Sequence, residues 1–355
     1  MIEIRFEERV KIGLQYVLES LHGCSPFGQE KIRRLRFYMP EERAELETEL
    51  YNVERAAAAD RLKDQYTKLM TGLCQMKDIR TSLRRCAEGE TPDHVELFEI
   101  KGYLQRLDGL RPLLAEIDAV THFEGIALHD PKPALAILDP DGTGSRGFYI
   151  PDNATARLKE VRQAKKDVEE CLFHASTDAE KDDLRLKRTR LCAEEDAEEM
   201  HVRRAMGAAL APMVDDLLAD AETSGRLDFI IQKALFAVRY GGIRPELTET
   251  ELELTDMINP EICDLLSEQG RSFVPVSIRL EQGATVITGA NMGGKSVAMK
   301  TVALNALLLQ AGFLVCAKKA RMPLFHSVKM LFDDLQSIQS GLSGFGSEIV
   351  QFQKA

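Results

Sequence analysis

A glycine-rich segment that ends in a lysine and a hydroxyl group has the clearest chemical potential in this chain. Residues 287–301 read ITGANMGGKSVAMKT, and residues 289–296 fit the pattern GxxxxGK[ST] in full. Glycines let backbone N–H groups converge on phosphate oxygens, and the N-terminus of a following helix favours anions. In such a loop Lys295 would neutralise the β- and γ-phosphates and serve catalysis, and Ser296 would give its hydroxyl to Mg²⁺.

The neighbouring residues predict the elements that position this loop. Residues 284–288 (ATVIT) predict a strand, and the residues from Val297 onward predict a helix. A glycine-rich turn with a solvated lysine is the alternative, but a strand before and a helix after the loop favour a phosphate site. We therefore expect ATP and Mg²⁺ as ligands. The predicted nucleotide-binding residues are Gly289, Ala290, Asn291, Met292, Gly293, Gly294, Lys295 and Ser296.

The same residues resemble the MutS family of ATPases. ITGANMGGKS is similar to the family's loop, whose usual form is TGPN(M/T)GGK(S/T), with Ala290 in place of the proline. RSFVPVSIRL (271–280) is similar to the apolar stretch that precedes the loop in the family. This likeness implies that Phe273 stacks on the adenine of ATP. Packing in the protein core is the alternative for Phe273.

A later segment extends the resemblance. QSGLSGFGSEIVQF (339–352) resembles the serine-containing signature of the family, although Gly344 replaces the usual threonine. The resemblance implies that Ser343 acts in trans on the γ-phosphate bound by the opposing subunit, so that nucleotide binding and dimer closure become one event. A helix N-cap role for Ser343 is compatible with this interpretation. The long run from Asp333 to Ser343 is more similar to paralogues that lack the mismatch-reading domain.

A phosphate-loop ATPase also needs a second acidic motif, at the end of a later strand, to hold Mg²⁺ and position water. No apolar strand that ends in Asp-Glu follows Ser343 in this sequence. We therefore expect the chain to bind ATP but to hydrolyse it poorly unless further sequence completes the domain.

Composition and hydrophobic spacing divide the chain into segments. Residues 1–154 predict a helical core, with a small hairpin near 134–150 around the turn sequence DPDGTG. Residues 155–224 are highly charged and their apolar residues step by three and four, which predicts a coiled-coil lever arm. Residues 225–245 predict a return helix and residues 246–355 the first part of a phosphate-loop domain. The predicted fold is mainly α and multi-domain. A helical core with an antiparallel coiled-coil lever arm is followed by a partial α/β phosphate-loop ATPase domain of the ABC type.

Two local signals predict where helices begin and turn. In SPFGQEK (25–31), Ser25 is a typical N-cap and Pro26 is suited to the first helical turn. Within the arm, HASTD (174–178) predicts a tip at which one helix turns back as the antiparallel partner of the other.

The charge of the chain limits its partners. Its formal net charge is -11 and its pI about 5.3, so contact with nucleic acid requires a local basic patch. The arm offers one candidate patch, and a mixed solvated helix face is the alternative because acidic residues flank it. The predicted DNA-contacting residues are Arg185, Lys187, Arg188 and Arg190.

The seven cysteines are scattered without CxxC pairs, which is typical of reduced thiols in a cytoplasmic protein rather than of zinc or disulfide frameworks. No segment approaches the roughly 20 uninterrupted apolar residues of a membrane helix. We expect a cytoplasmic protein without a membrane partner.

Two functional hypotheses follow. The first is a MutS-like clamp that acts on DNA in repair or recombination as a homodimer joined through the ATPase domain, without support in this sequence for mismatch recognition. The second is an ATP-dependent accessory factor that remodels a protein partner without DNA, as in MutS-like proteins encoded near aminomutases. A small-molecule kinase is disfavoured because the helical region shows no recognisable acceptor pocket.

Overall fold

A computed structural model of the chain describes residues 4–145, 147–289 and 294–330, with Asp60 described in its backbone alone. The first half consists of helices, which are α1 (Phe6–Ile12), α2 (Leu14–Ser20), α3 (Pro26–Arg33), α4 (Arg43–Ala58), α5 (Lys63–Cys74), α6 (Arg80–Ala87), α7 (His94–Thr121) and α8 (Lys132–Leu138). The helices of the second half are α9 (Ala156–His174), α10 (Asp178–Leu210), α11 (Val214–Tyr240), α12 (Pro260–Glu268) and α13 (Lys295–Gln310). Short 3-10 turns occur at Pro40–Glu42, Asp60–Leu62 and Ala211–Met213. The fold is mainly α, as predicted, and ends in part of an α/β domain.

A small mixed sheet lies in the C-terminal part of the chain. Its strands are β1 (Glu246–Leu247), β2 (Leu252–Met257), β3 (Val276–Leu280) and β4 (Lys319–Met322). They are ordered β1-β4-β2-β3, in which β1 pairs with β4 in parallel and the other two pairs are antiparallel.

The prediction of a strand at residues 284–288 is wrong. These residues are not assigned to a strand, and Val286 is 82 % exposed. A strand exists only where a neighbouring backbone completes the hydrogen-bond ladder. Among the described residues, none of the strands pairs with this segment, so its β-branched side chains alone do not make it a strand.

Helix α11 is the centre of the fold. Residues 227–234 are all buried, as expected for a helix that is surrounded by packed neighbours. The main core cluster joins α11 to α3–α7, to β2 and to β4. The predicted return helix was placed from Gly225, but α11 begins at Val214. Gly225 therefore lies inside α11 and does not mark its start. A Cβ at this position would lie 2.8 Å from the Cβ of Phe27, so glycine permits the close contact between α11 and α3.

A buried carboxylate fixes the start of α3 against α11. Ser25 caps α3, as predicted, by accepting the N–H of Gly28 at 2.9 Å. Asp228 of α11 is fully buried, and its carboxylate accepts the N–H groups of Cys24 at 2.9 Å and of Ser25 at 2.7 Å. This cap therefore joins two elements that lie about 200 residues apart in sequence.

A second buried cluster joins α13 to the first helices of the chain. Its members include Leu14, Val17, Phe236, Leu304, Leu307 and Leu308, from α2, α11 and α13. The helix that follows the glycine-rich loop is thus packed directly on N-terminal helices. The sequence predicts a domain boundary at residue 246, but buried side chains from both sides of that residue pack in this one cluster.

The arm is an antiparallel pair of helices, as predicted, and the chain turns between α9 and α10 at residues 175–177. Ion pairs connect the two helices along its length. Arg162 contacts Glu195 at 3.0 Å and Glu199 at 2.6 Å, and Arg188 contacts Glu169 at 2.7 Å. Apolar side chains are buried mainly in the half nearest the core, so charged side chains dominate the outer half.

The hairpin predicted near 134–150 is wrong. Ala134 and Leu138 are buried four residues apart, which is helical spacing, and they belong to α8. The predicted turn is present, because Asp139 accepts the N–H of Gly144 at 2.9 Å. None of the described residues of 139–150 is assigned to a strand, so this turn does not join two strands of a hairpin there.

In the described part of the chain, no helix combines the length and apolar character that a membrane span requires.

Candidate nucleotide-binding site

The glycine-rich loop leads directly into the N-terminus of α13. Gly294 is the N-cap of α13 and has φ +81°, a conformation that glycine adopts without strain. Glycine also supplies no side-chain acceptor for the first N–H groups of the helix, which are the groups that an anion can bind. Four loop residues, Ala290, Asn291, Met292 and Gly293, lie outside the described residues, so their predicted roles remain predictions.

Lys295 connects the two ends of the loop. Its Nζ donates a hydrogen bond to the carbonyl oxygen of Gly289 at 2.7 Å, six residues back along the chain. The ammonium group therefore lies beside Gly289, close to the N-terminal end of α13, which favours anions. Ser296 follows in the first helical turn and is exposed. Its hydroxyl is a hard oxygen ligand of the kind that Mg²⁺ accepts.

Segment 284–288 lies beside the first half of α13, although it forms no ladder. Thr285 and Ile287 line a cavity of about 400 Å³ together with Met299 and Val302 of α13. The chain thus approaches the loop along α13 and then enters the same helix. The order of the predicted elements is present in space even though the backbone pairing is not.

Two buried amides hold α13 in place. Asn305 accepts the N–H of Cys316 at 2.7 Å, and Gln310 donates to the carbonyl oxygens of Tyr38 at 2.9 Å and Phe325 at 2.7 Å. Both amide side chains are fully buried. In the sequence, these roles are indicated only by the presence of two amides in an apolar helix, because a buried amide needs hydrogen-bond partners.

The structure does not test the roles predicted for the other two residues of the nucleotide site, Phe273 and Ser343. Phe273 is half-buried in the segment between α12 and β3, and it is not among the side chains that pack on either main core cluster. Stacking on adenine stays a prediction. Ser343 lies outside the described residues, and its action in trans likewise stays a prediction.

The predicted DNA contacts do not form one surface. All four cationic side chains are exposed on α10. Residues 185 and 187 are about 200° apart around a helix with 3.6 residues per turn, and so are 188 and 190. Arg185 pairs with Asp182 at 3.2 Å and Arg188 with Glu169 at 2.7 Å.

Comparisons with known proteins find similarity to MutS proteins. The family model described as MutS domain V matches residues 285–355. The endonuclease MutS2 of Agathobacter rectalis is 31% identical over 330 residues, which cover 84% of this chain and 37% of that protein. The endonuclease MutS2 of Leuconostoc citreum is 31% identical over 170 residues, which cover 47% of this chain and 20% of that protein.

A mismatch repair protein is also similar. The DNA mismatch repair protein MutS of Leptospira interrogans serovar Lai is 34% identical over 137 residues, which cover 38% of this chain and 16% of that protein. The matched regions of this chain therefore span between 16% and 37% of these relatives. Together, the loop residues, the helix that follows them and these similarities show that the chain is a member of the MutS family.

Proposed function

We propose that this chain binds ATP as part of a MutS-like, nucleotide-dependent dimeric clamp that acts on DNA. The observation that carries the proposal is the junction between the glycine-rich loop and α13. There Gly294, the helix N-terminus and the Lys295 ammonium group meet at the place where a nucleotide phosphate would bind.

The proposed binding step exchanges one acceptor for another. Lys295 donates to the Gly289 carbonyl in the described structure, and it would donate to the β- and γ-phosphates of ATP instead. A doubly charged phosphate is a stronger acceptor than a neutral carbonyl, so the exchange favours the bound state. Ser296 would hold Mg²⁺, which neutralises phosphate charge when bound. Phe273 would stack on adenine, and the partner's copy of Ser343 would complete the site in a homodimer.

The packing of α13 supports a link between nucleotide binding and the arm. α13 shares a buried cluster with α11, and α11 follows the arm helix α10 after the turn Ala211–Met213. A close-packed core transmits a displacement of one helix to its neighbours. A shift of the loop on ATP binding would thus reach the base of the arm, as a clamp requires.

DNA binding tests this proposal. A labelled duplex is titrated with the chain over a series of salt concentrations, with and without ATP and Mg²⁺. We expect affinity that depends on ATP and falls steeply with salt, because phosphate contacts release counterions. A variant with alanine at Arg185, Lys187, Arg188 and Arg190 should bind more weakly. The control variant loses the same charge through alanine substitutions of four exposed residues in the helical region before the arm, and it should bind like the original chain. These residues are Lys63, Lys68, Lys77 and Arg84.

A protein partner in place of DNA is the second candidate. Two of the four basic side chains on the arm already pair with carboxylates, and the chain carries a net charge of -11. Both observations weaken attraction to a polyanion. A tagged chain would then retain one specific enzyme from its host in the presence of ATP, Lys295→Ala would lose that enzyme, and no duplex would bind even at low salt.

A further inference from the structure

A second polar cavity lies at the opposite end of α13 from the glycine-rich loop. It has a volume of about 410 Å³, and Ala311, which directly follows α13, is part of its wall. The 16 residues of α13 span roughly 24 Å, so this cavity is separate from the nucleotide site. Its other walls come from α3, from the segment between α3 and α4, from α4 and from α11.

The lining of this cavity carries an excess of positive charge. Five cationic side chains face three carboxylates among its described lining residues. The cationic residues are Lys31, Arg34, Arg36, Arg226 and Lys233, and the carboxylates are Glu45, Glu49 and Glu222. A cavity lined mainly by one sign of charge concentrates ligands of the opposite sign.

The floor of the cavity is built from buried charges. Lys233 is 1 % exposed, and its Nζ donates to Glu49 at 2.6 Å. Arg226 donates to the other oxygen of the same carboxylate at 3.1 Å. Two cations thus share one carboxylate, which leaves a net positive charge at the floor. Gly312 permits this arrangement, because a Cβ there would lie 2.8 Å from the Glu49 side chain.

The rim of the cavity carries cations whose present partners are at least partly exposed. Lys31 pairs with Glu222, whose side chain is 68% exposed. Arg36 pairs with Glu42, whose side chain is 32% exposed, and at 3.0 Å with Glu45, whose side chain is 63% exposed. Exposed ion pairs are weak, whereas an arginine fork binds a phosphate group through two charge-assisted hydrogen bonds. An incoming dianion can therefore replace the glutamates at the rim. The Arg36 guanidinium lies 4.7 Å from the ring centre of Tyr38, which fixes its position.

We propose that this cavity binds a small phosphate-bearing dianion, between Lys31 and Arg36 at the rim and the positive charge of the floor. The volume suits a ligand between inorganic phosphate and a nucleoside monophosphate in size. Its walls belong both to the helical core and to the end of α13, so the ligand would connect these two parts. The proposal does not depend on ATP binding at the glycine-rich loop.

Calorimetric titration with inorganic phosphate and with AMP tests this site. The parent protein carries Lys295→Ala, which should weaken phosphate binding at the loop. We expect one site per chain in this parent. Adding Lys31→Gln and Arg36→Gln should weaken that binding at least tenfold, whereas adding Arg157→Gln and Lys166→Gln on the arm removes the same charge and should leave it unchanged. Circular dichroism confirms that all variants keep their helical content.

Each result of this titration has a defined meaning. Binding of both ligands shows that the phosphate group is sufficient, and binding of AMP alone shows that the ligand is a nucleotide. If neither ligand binds to the parent, or if the rim and arm variants bind equally well, the proposal is wrong.

Discussion

We expect Glu49→Gln to destabilise the protein strongly, because it leaves a positive charge buried without its partner. Glu49 is 3 % exposed and accepts hydrogen bonds from Lys233 and Arg226. Burial alone would raise the pKa of Glu49, but the two cations lower it, so it is ionised at neutral pH. Burial lowers the pKa of Lys233, and Glu49 opposes this shift. Glutamine keeps the shape of the side chain and removes only the charge.

The structure limits the size of this effect. Loss of one partner of a buried ion pair costs about 3–5 kcal/mol. Lys233 can escape part of the cost by losing its proton. A lysine normally ionises near pH 10.4 and each pH unit corresponds to about 1.36 kcal/mol, so deprotonation costs about 5 kcal/mol at pH 7 and about 2 kcal/mol at pH 9. The destabilisation by Glu49→Gln should therefore be about 3–5 kcal/mol at pH 7 and no more than about 2 kcal/mol at pH 9.

Urea unfolding followed by circular dichroism measures these values. Adding Lys233→Met to Glu49→Gln should recover much of the lost stability, since the fully buried charge is gone and the remaining cation, Arg226, is partly exposed. Glu45→Gln, at a side chain that is 63% exposed, is the control and should change the free energy of unfolding by less than about 0.5 kcal/mol. A cost below about 1 kcal/mol for Glu49→Gln at pH 7, or the same cost at pH 7 and pH 9, would refute this reasoning.

Three further predictions concern other contacts. Gly28→Ala should cost about 2–4 kcal/mol in urea unfolding, because its Cβ would lie 2.1 Å from the Asp228 carboxylate and displace the cap of α3. Asn305→Leu should cost about 1–3 kcal/mol in the same assay, because a buried backbone N–H loses its acceptor. A hydrogen bond to Asp220 raises the pKa of His129 above 6.5. His129 should therefore add stability that is fully present below pH 6.5 and is lost as the pH rises through the raised pKa, so His129→Gln should destabilise the protein more at pH 6 than at pH 9.

Distinct results would contradict each of these three. Gly102→Ala is the control for the first, because nothing lies within 4 Å of the added Cβ, and it should stabilise α7 by about 0.5–1 kcal/mol. Equal effects at Gly28 and Gly102 would show that the contact with Asp228 is not tight. A neutral effect of Asn305→Leu would mean that the freed N–H finds another partner. Equal effects of His129→Gln at the two pH values would show that the ion pair between His129 and Asp220 does not contribute to stability.

Local sequence signals predicted the elements whose determinants lie close together in the chain. Ser25 and Pro26 mark a helix start because the cap bond closes within three residues. The glycine-rich pattern predicted a helix from Val297 onward in the same way, and α13 begins two residues earlier, at Lys295. The arm was predictable because its charge and helical spacing are properties of each helix alone.

Features that depend on distant partners were not predictable. Segment 284–288 has the side chains of a strand, but a strand also needs a neighbouring backbone, which no local pattern reports. Gly225 was interpreted as a helix end, whereas its role is to admit Phe27 from a distant helix. The pair of Glu49 and Lys233 joins residues 184 positions apart, and their spacing carries no signal in the sequence.

Nucleotide titration tests the central claim, that the junction of the glycine-rich loop and α13 binds ATP. Fluorescent ATP with Mg²⁺ is titrated with the original chain, with Lys295→Ala and with Lys300→Ala, a control on the same helix. A hydrogen bond to a charged group contributes about 1.5–3 kcal/mol, so Lys295→Ala should weaken binding roughly 10- to 150-fold. Lys300→Ala should bind like the original chain. If Lys295→Ala binds ATP as tightly as the original chain, this junction is not the nucleotide site.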